Sequence, residues 1–161
     1  MTSLVVNILL MIVWGVLTGS LEFLNLLLGF VLGYGILWLI QPLIGGPNSY
    51  FRRVYAWIRL IAEFHYELFV SSVQVVWDVL TPTHLADPAI VEVPLDVKTD
   101  AGILLVTNLI SLTPGTLSLD VSPDRKTLTI HAMFGEDPEE LIHQLKTGME
   151  RLVIEAVEGD E

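Results

Sequence analysis

The sequence predicts a membrane α-helical hairpin joined to a small α+β domain of order β-α-β-β-α, with a three-stranded sheet and two helices. Three observations predict it. The 37 residues from Leu4 to Ile40 contain only Asn7, Glu22 and Asn25 as strongly polar side chains. Of the 19 acidic residues, 13 lie from Asp96 onward, so apolar and acidic stretches are segregated. Period-two alternation, the mark of half-buried strands, begins only after Pro88. The 161 residues therefore divide into a membrane-embedded hairpin over 1–50, an amphipathic interfacial or third membrane helix over 51–82, and a cytoplasmic α+β domain over 83–161.

A helix rises about 1.5 Å per residue and the hydrocarbon core is about 30 Å thick, so 37 residues are too many for one crossing and barely enough for two. The turn falls at Gly19-Ser20-Leu21-Glu22, where a helix breaker, a small hydroxyl and the only charge of the stretch meet. Helices are expected from Leu4 to about Thr18 and from about Phe23 to Ile40. Such short spans call for a locally thinned bilayer or for neighbours that cover their ends. Gly29 and Gly33, four apart, form a small-xxx-small pattern that lets another helix approach closely. Pro42, Gly45, Gly46 and Pro47 are expected to end the second helix. Met1-Thr2-Ser3 has no Lys or Arg and no small-x-small cleavage pattern follows, so the hairpin reads as a retained anchor. No cationic side chain precedes Arg52 and Arg53; the positive-inside rule then places the loop after the second helix, and with two spans the N-terminus, in the cytoplasm.

Val54 to Leu80 reads as one long helix. At 100° per residue, Arg59, Glu63, Glu67, Ser71, Gln74 and Asp78 form a narrow polar stripe. Trp57, Ile58, Ile61, Phe64, Leu68, Phe69, Val73, Val75 and Val76 cover the other side, with His65 and Ser72 as exceptions. Either the helix lies along the cytoplasmic interface with its charges toward water, or it crosses with the stripe turned toward a protein partner. Charged residues at a helix centre cost roughly 2.5 to 3.5 kcal/mol each, and a third span would carry Arg52 and Arg53 outside, so the interfacial reading is preferred. An Arg59–Glu63 pair, four apart, would contribute a few tenths of a kcal/mol.

Thr81-Pro82-Thr83 and Asp87-Pro88 make a linker. Ile90 to Lys98 alternates as a strand whose Pro94 argues for an edge or a bulge. Thr99-Asp100 caps a short helix from Ala101 to Ser111. Thr113-Pro114-Gly115-Thr116 then has the type II turn signature. Two strands follow, with Leu117, Leu119 and Val121 on one face of the first, Leu128, Ile130 and Ala132 on one face of the second, and a hairpin turn at Ser122-Pro123-Asp124-Arg125. Asp137-Pro138-Glu139-Glu140 supplies a cap, a first-turn proline and a carboxylate at the third helical position. Leu141, Ile142, Leu145, Met149, Leu152, Val153 and Ala156 form the buried stripe of the last helix.

Net charge of -11 with eight Lys plus Arg excludes nucleic acid as a partner, since no basic stripe could neutralise phosphates. The absence of cysteine removes disulfides, thiolate nucleophiles and zinc–thiolate sites. His65, His84, His131 and His143 lack the spacing of a helical metal pair. A zinc site from His131, facing Asp120 across the hairpin, with His143 is the sharpest metal hypothesis, and exposed polar residues on a hairpin are the simpler reading. No cofactor or metal is expected; no GxSxG elbow or phosphate loop occurs. Glu63 and Glu67, with Arg59 beside them, are an ion-path or proton candidate if buried in a membrane and a partner-facing stripe if interfacial.

The run NLISLTPGTLSLDVS from Asn108 to Ser122, followed by LTIHAM at Leu128 to Met133, resembles the E-type subunit of the multisubunit Mrp-type (Mnh) cation/proton antiporters. The resemblance extends to the apolar hairpin, paired Arg52 and Arg53, ELFVSSVQVVWDVL from Glu67 to Leu80, the LDVKTD approach and the final acidic helix. Ser72 departs from the family pattern ELxxSN. The resemblance implies an accessory, non-catalytic membrane subunit of a monovalent cation (Na+)/proton antiporter, needed for assembly and activity, and not an enzyme. Its partners would be the other membrane subunits, in a hetero-oligomer, and the lipid bilayer. It implies a multi-pass protein of the cell membrane with a cytoplasmic C-terminal domain. Arg59, Glu63, Glu67, Asn108, Thr113, Pro114, Gly115 and Thr116 are the candidate partner or ion-path contacts. The alternative is a self-standing membrane-anchored module that binds a soluble partner through its acidic domain.

Overall fold

The computed structural model describes residues 2–44, 49–82 and 86–159. Gly45, Gly46, Pro47, Thr83 and His84 lie outside the described residues. The chain divides into two compact units, Met1–Arg52 and Arg53–Glu161.

The first unit holds α1 (Thr2–Thr18), α2 (Phe23–Ile44) and the start of α3 (Ser49–Leu80). Gly19 ends α1 at a φ of 67°, with its own N–H donating to Val16 O (3.2 Å) and the Ser20 N–H to Gly15 O (3.1 Å). Those two bonds are a Schellman cap, and they occupy carbonyls that would otherwise be orphaned. Asn25, three residues into α2, stitches the turn: its Nδ2 donates to Thr18 Oγ1 and Ser20 O, each at 2.6 Å, and its Oδ1 accepts from Trp14 Nε1 at 3.1 Å. The helix does not stop at Pro42 but runs on to Ile44. A proline this close to the C-terminus removes only one helical bond, so the last turn survives it.

Gly29 and Gly33 do admit a close neighbour, and that neighbour is the chain's own α1. A Cβ on Gly29 would come within 2.8 Å of Trp14, and one on Gly33 would collide with Asn7 Oδ1. Asn7 is 0 % exposed; its Nδ2 donates to Tyr50 OH at 2.8 Å. The Tyr50 ring packs against Tyr34 and Phe51 at centroid distances of 5.8 and 5.3 Å. Among the described residues one helix, Phe23–Leu43, is long and apolar enough to cross a membrane; Ser3–Thr18 is apolar but shorter.

The second unit contains the rest of α3, then β1 (Ala89–Pro94), α4 (Asp100–Leu112), β2 (Thr116–Val121), β3 (Thr127–Ala132), α5 (Pro138–Leu145) and α6 (Arg151–Val153). Five-residue π-type turns, Lys146–Glu150 and Ile154–Glu158, flank α6. The sheet is antiparallel in the order β1-β3-β2, which leaves β1, with Pro94 at its end, on an edge. Val91 and Val93, Leu128 and Ile130, Val106 and Ile110, and Leu152 and Val153 meet in one core. Thr99 caps α4 by accepting from Gly102 N at 3.2 Å, and Asp137 caps α5 by accepting from Glu140 N at 3.1 Å.

Three expectations are corrected. The polar side of α3 is not wholly turned to water: Arg59, Glu63 and Gln74 are exposed, but Glu67 and Ser71 are half-buried and Asp78 is buried. Ala56 and Leu60, on the same side of α3 as the polar stripe, enter the core, and buried Asp78 accepts from Ala86 N at 3.1 Å. The strand expected to reach Lys98 ends at Pro94: Leu95 N still donates to Lys126 O at 2.8 Å, but from Asp96 to Thr99 the amides bond the carboxylates of Glu150 and Glu158 in place of a strand. A bulge between Ser118 and Asp120 breaks the face shared by Leu117, Leu119 and Val121, leaving both leucines about half exposed.

Candidate functional site

Six of the eight candidate residues gather around one cavity of about 400 Å³ within the second unit: Glu63, Glu67, Thr113, Pro114, Gly115 and Thr116. One wall is α3, where helical spacing aligns Glu63, Glu67, Ser71 and Gln74 on the domain-facing side. The opposite wall is the turn after α4. The rim is completed by Phe134 and by Gln144, Gly148 and Met149, the last two in the first π-type turn.

The turn is held by its own polar groups. Gly115 has a φ of 90°, the left-handed value that a type II turn demands and glycine tolerates. Thr116 N donates to Thr113 O at 3.2 Å. The Thr113 hydroxyl donates to Leu109 O (2.9 Å), and the Thr116 hydroxyl to Ile110 O (2.6 Å). The Gly115 carbonyl accepts from Met133 N at 2.7 Å, which ties the turn to the end of β3. Both threonine hydroxyls are thus spent on the last carbonyls of α4, and the motif acts first as a helix terminator.

Glu63 and Glu67 have no cationic side chain beside them among the residues that line the cavity. Partial burial, and then the charge of Glu63, push the Glu67 carboxyl above the usual carboxylate range. Arg59 points elsewhere: its ion pair is with Glu155, at 4.0 Å, rather than with Glu63 as the four-residue spacing suggested. Glu155 also accepts from Arg151 Nε at 3.0 Å, so the carboxylate offers Arg59 a charged neighbour from the facing helix. Asn108 lies apart too, with its Nδ2 donating back to Leu104 O at 2.7 Å.

The strand register separates the suggested zinc ligands. Asp120 lies opposite Thr129, while His131 lies between Leu117 and Ile90. Among the described residues no group of three His, Asp or Glu side chains could hold a metal ion.

Two carboxylates matter that sequence reasoning passed over. Glu150 is 3 % exposed, and its Oε1 accepts from Asp96 N (2.6 Å) and Val97 N (3.1 Å). Lys146 Nζ sits 3.5 Å from its other oxygen and 2.7 Å from Asp96 Oδ2, and donates to Pro94 O at 2.8 Å. Burial alone would lower the Lys146 pKa, but Asp96 and Glu150 outweigh it and raise it. Glu158 Oε1 accepts from Lys98 N (2.8 Å), Thr99 N (2.7 Å) and Thr99 Oγ1 (2.9 Å). Burial would raise its pKa; the bonds from Thr99 and Lys98 prevail and hold it below the usual range. The available signal was Glu150 itself, an acid set between Lys146 and Val153 within the apolar stripe of the last helix.

Apolar helices that bury an asparagine between them, followed by a small acidic domain built on an amphipathic helix, define a membrane-anchored α+β protein. A family model described as Na+/H+ ion antiporter subunit matches residues 7–156, and the chain belongs to that family. It is 37% identical over 156 residues to the E1 subunit of the Na(+)/H(+) antiporter of Staphylococcus haemolyticus, covering 97% of this chain and 98% of the relative. The E subunit of the Na(+)/H(+) antiporter of Alkalihalophilus pseudofirmus is 35% identical over 95% of this chain and 96% of its own. A chain in the structure of the membrane-bound sulfane sulfur reductase, an archaeal respiratory membrane complex, superposes with a TM-score of 0.55 at 25% identity, covering 96% of this chain and 97% of that one.

Proposed function

We propose that this chain is an accessory, non-catalytic membrane subunit of a multisubunit monovalent cation (Na+)/proton antiporter, required for assembly and activity within a hetero-oligomer of membrane subunits. The observation that carries this reading is similarity to antiporter subunits over nearly the full length of both chains. End-to-end similarity of that kind favours a subunit of the same complex over a free-standing module. Deleting the chain should abolish Na+/H+ exchange in everted membrane vesicles, and an affinity tag on it should co-purify the other subunits. Recovery of the chain alone would overturn the reading.

In this proposal α1 and α2 form a two-span hairpin and the α+β domain is cytoplasmic. The support is electrostatic: no Lys or Arg precedes Arg52 and Arg53. Single cysteines at Ser3 and Ser122 should both be labelled from the cytoplasmic side. Glu63 and Glu67 enter as contacts for neighbouring subunits, not as steps of an ion path. Replacing both by Gln should leave exchange within about twofold of wild type once assembly is normal; a tenfold loss, equivalent to about 1.4 kcal/mol, would return them to the ion path.

A further inference from the structure

We propose that the outward face of α3, from Ile58 to Leu80, rests in the headgroup zone of the bilayer along its whole length, so that the α+β domain is held at the membrane surface by the helix it is built on. The proposal rests on the membrane-subunit reading above and adds the surface that seats the domain.

The domain-facing side of α3 meets the domain at its start, middle and end, although Arg59, Glu63 and Gln74 remain exposed. Ala56 and Leu60 are in the core near its start, Glu63 and Glu67 line the cavity at its middle, and Asp78 accepts from Ala86 N near its end. A helix that puts Ala56 and Leu60 into its own domain's core, pairs Arg59 with Glu155 and holds Ala86 N through Asp78 cannot cross hydrocarbon without drawing carboxylates such as Glu155 in with it. The opposite side carries Ile58, Ile61, Phe69, Val73, Val76 and Leu80, all exposed, with Phe69 at 70 %. These six recur at helical spacing over 23 residues, about 34 Å. Trp77 and Tyr55 flank the line, the amphipathic rings that settle at headgroup level.

Two further observations select lipid over a partner helix. The polar residues on this side have turned their hydrogen bonds inward: Ser72 Oγ donates to Leu68 O at 2.6 Å, and His65 Nδ1 lies 2.7 Å from Ile61 O. The Ser72 hydroxyl and one ring nitrogen of His65 are thus engaged by the helix's own carbonyls. Where this chain packs one apolar helix on another it uses glycine, as at Gly29 and Gly33 against α1. The outward line of α3 has no glycine and is built of bulky side chains, a poor surface for close helix approach and a good one for the disordered boundary of a bilayer.

The test is spin labelling of the assembled complex in nanodiscs of phosphatidylethanolamine and phosphatidylglycerol. The chain has no cysteine of its own, so single cysteines at Ile58, Phe69 and Val76 can each be labelled, with exposed Glu92 in β1 as the aqueous reference. Collision with oxygen and with a nickel chelate reports depth. The expected result is the same shallow depth at all three positions, with nickel access reduced severalfold from that at Glu92. A depth that peaks at Phe69 means a crossing helix and overturns the proposal. Low access to both reagents at all three positions means a covering partner protein, and equally overturns it. Failure of the underlying reading shows separately, as failure of the tagged chain to bring down other subunits before any label is attached.

Discussion

The two units of this chain solve opposite packing problems. In the first, the surface is apolar and the interior holds an amide: Leu17 and Phe23 are 78 % and 81 % exposed while Asn7 is completely covered. In the second, Leu128 and Ile130 are completely covered and the surface is acidic. Each unit nonetheless uses side-chain polar groups as clasps between segments distant in sequence, beside the local bonds of Thr113 and Asp78. Asn7 joins α1 to Tyr50; Glu150 and Glu158 join the last helix to residues 96–99. The difference is the charge. In an apolar hairpin an amide can make such a joint without an ion's desolvation cost, whereas next to water a carboxylate gathers two or three donors at once.

The comparison breaks most visibly at Glu150. Replacing it by Ala removes the acceptor of the Asp96 and Val97 amides, while Lys146 keeps Asp96 and Pro94 O, and should cost about 1 to 3 kcal/mol. Hydrogen exchange of residues 95–99 in the purified complex should accelerate while the first unit is unaffected. In the hairpin, Gly33→Ala drives a methyl into Asn7 and should cost about 1 to 3 kcal/mol, whereas Gly35→Ala, where a Cβ meets nothing within 4 Å, should be tolerated. Protease resistance of α1 and α2 distinguishes the two variants. Acid supplies a finer test. The Glu158 carboxyl is held below its ordinary 4.5, so its stabilisation is complete above that pH and fades as pH falls through the lower folded value. Glu158→Gln should therefore flatten the acid limb of the unfolding curve. Glu67 runs the other way: its raised pKa means that the charged form opposes folding, so Glu67→Gln should be neutral or slightly stabilising near pH 7, with the gain vanishing in acid. The smallest effect belongs to Arg125, whose exposed pair with Asp100 should contribute less than about 1 kcal/mol when removed by Arg125→Ala.

Local structure is legible in the sequence where one residue type forces one geometry. Gly19 and the Thr113-Pro114-Gly115-Thr116 turn fall where the glycines require them, and alternation in Leu128, Ile130 and Ala132 marks the central strand. Those signals are short-ranged. Direction was not legible for α3, because an amphipathic pattern gives two faces and does not say whether water or the chain's own domain meets the polar one. The cavity was legible only as separate pieces: Glu63 and Glu67 stood out as a pair and the turn as a motif, yet 45 residues lie between Glu67 and Thr113. The bulge at Ser118 and the π-type turns were invisible for a further reason. Each inserts one residue's worth of irregularity that tertiary contacts settle and periodicity does not record.

The anchoring of residues 96–99 by Glu150 and Glu158 also bears on how the protein is made. A ribosome delivers the amides of Asp96, Val97, Lys98 and Thr99 well before it delivers the carboxylates that hold them. During that interval α1 and α2 can already meet, since Trp14, Asn25 and the Gly19 cap are close in sequence. Synthesis therefore proceeds from anchor to domain. A nascent chain arrested before Glu150 should hold its helical hairpin and carry an open, protease-sensitive sheet.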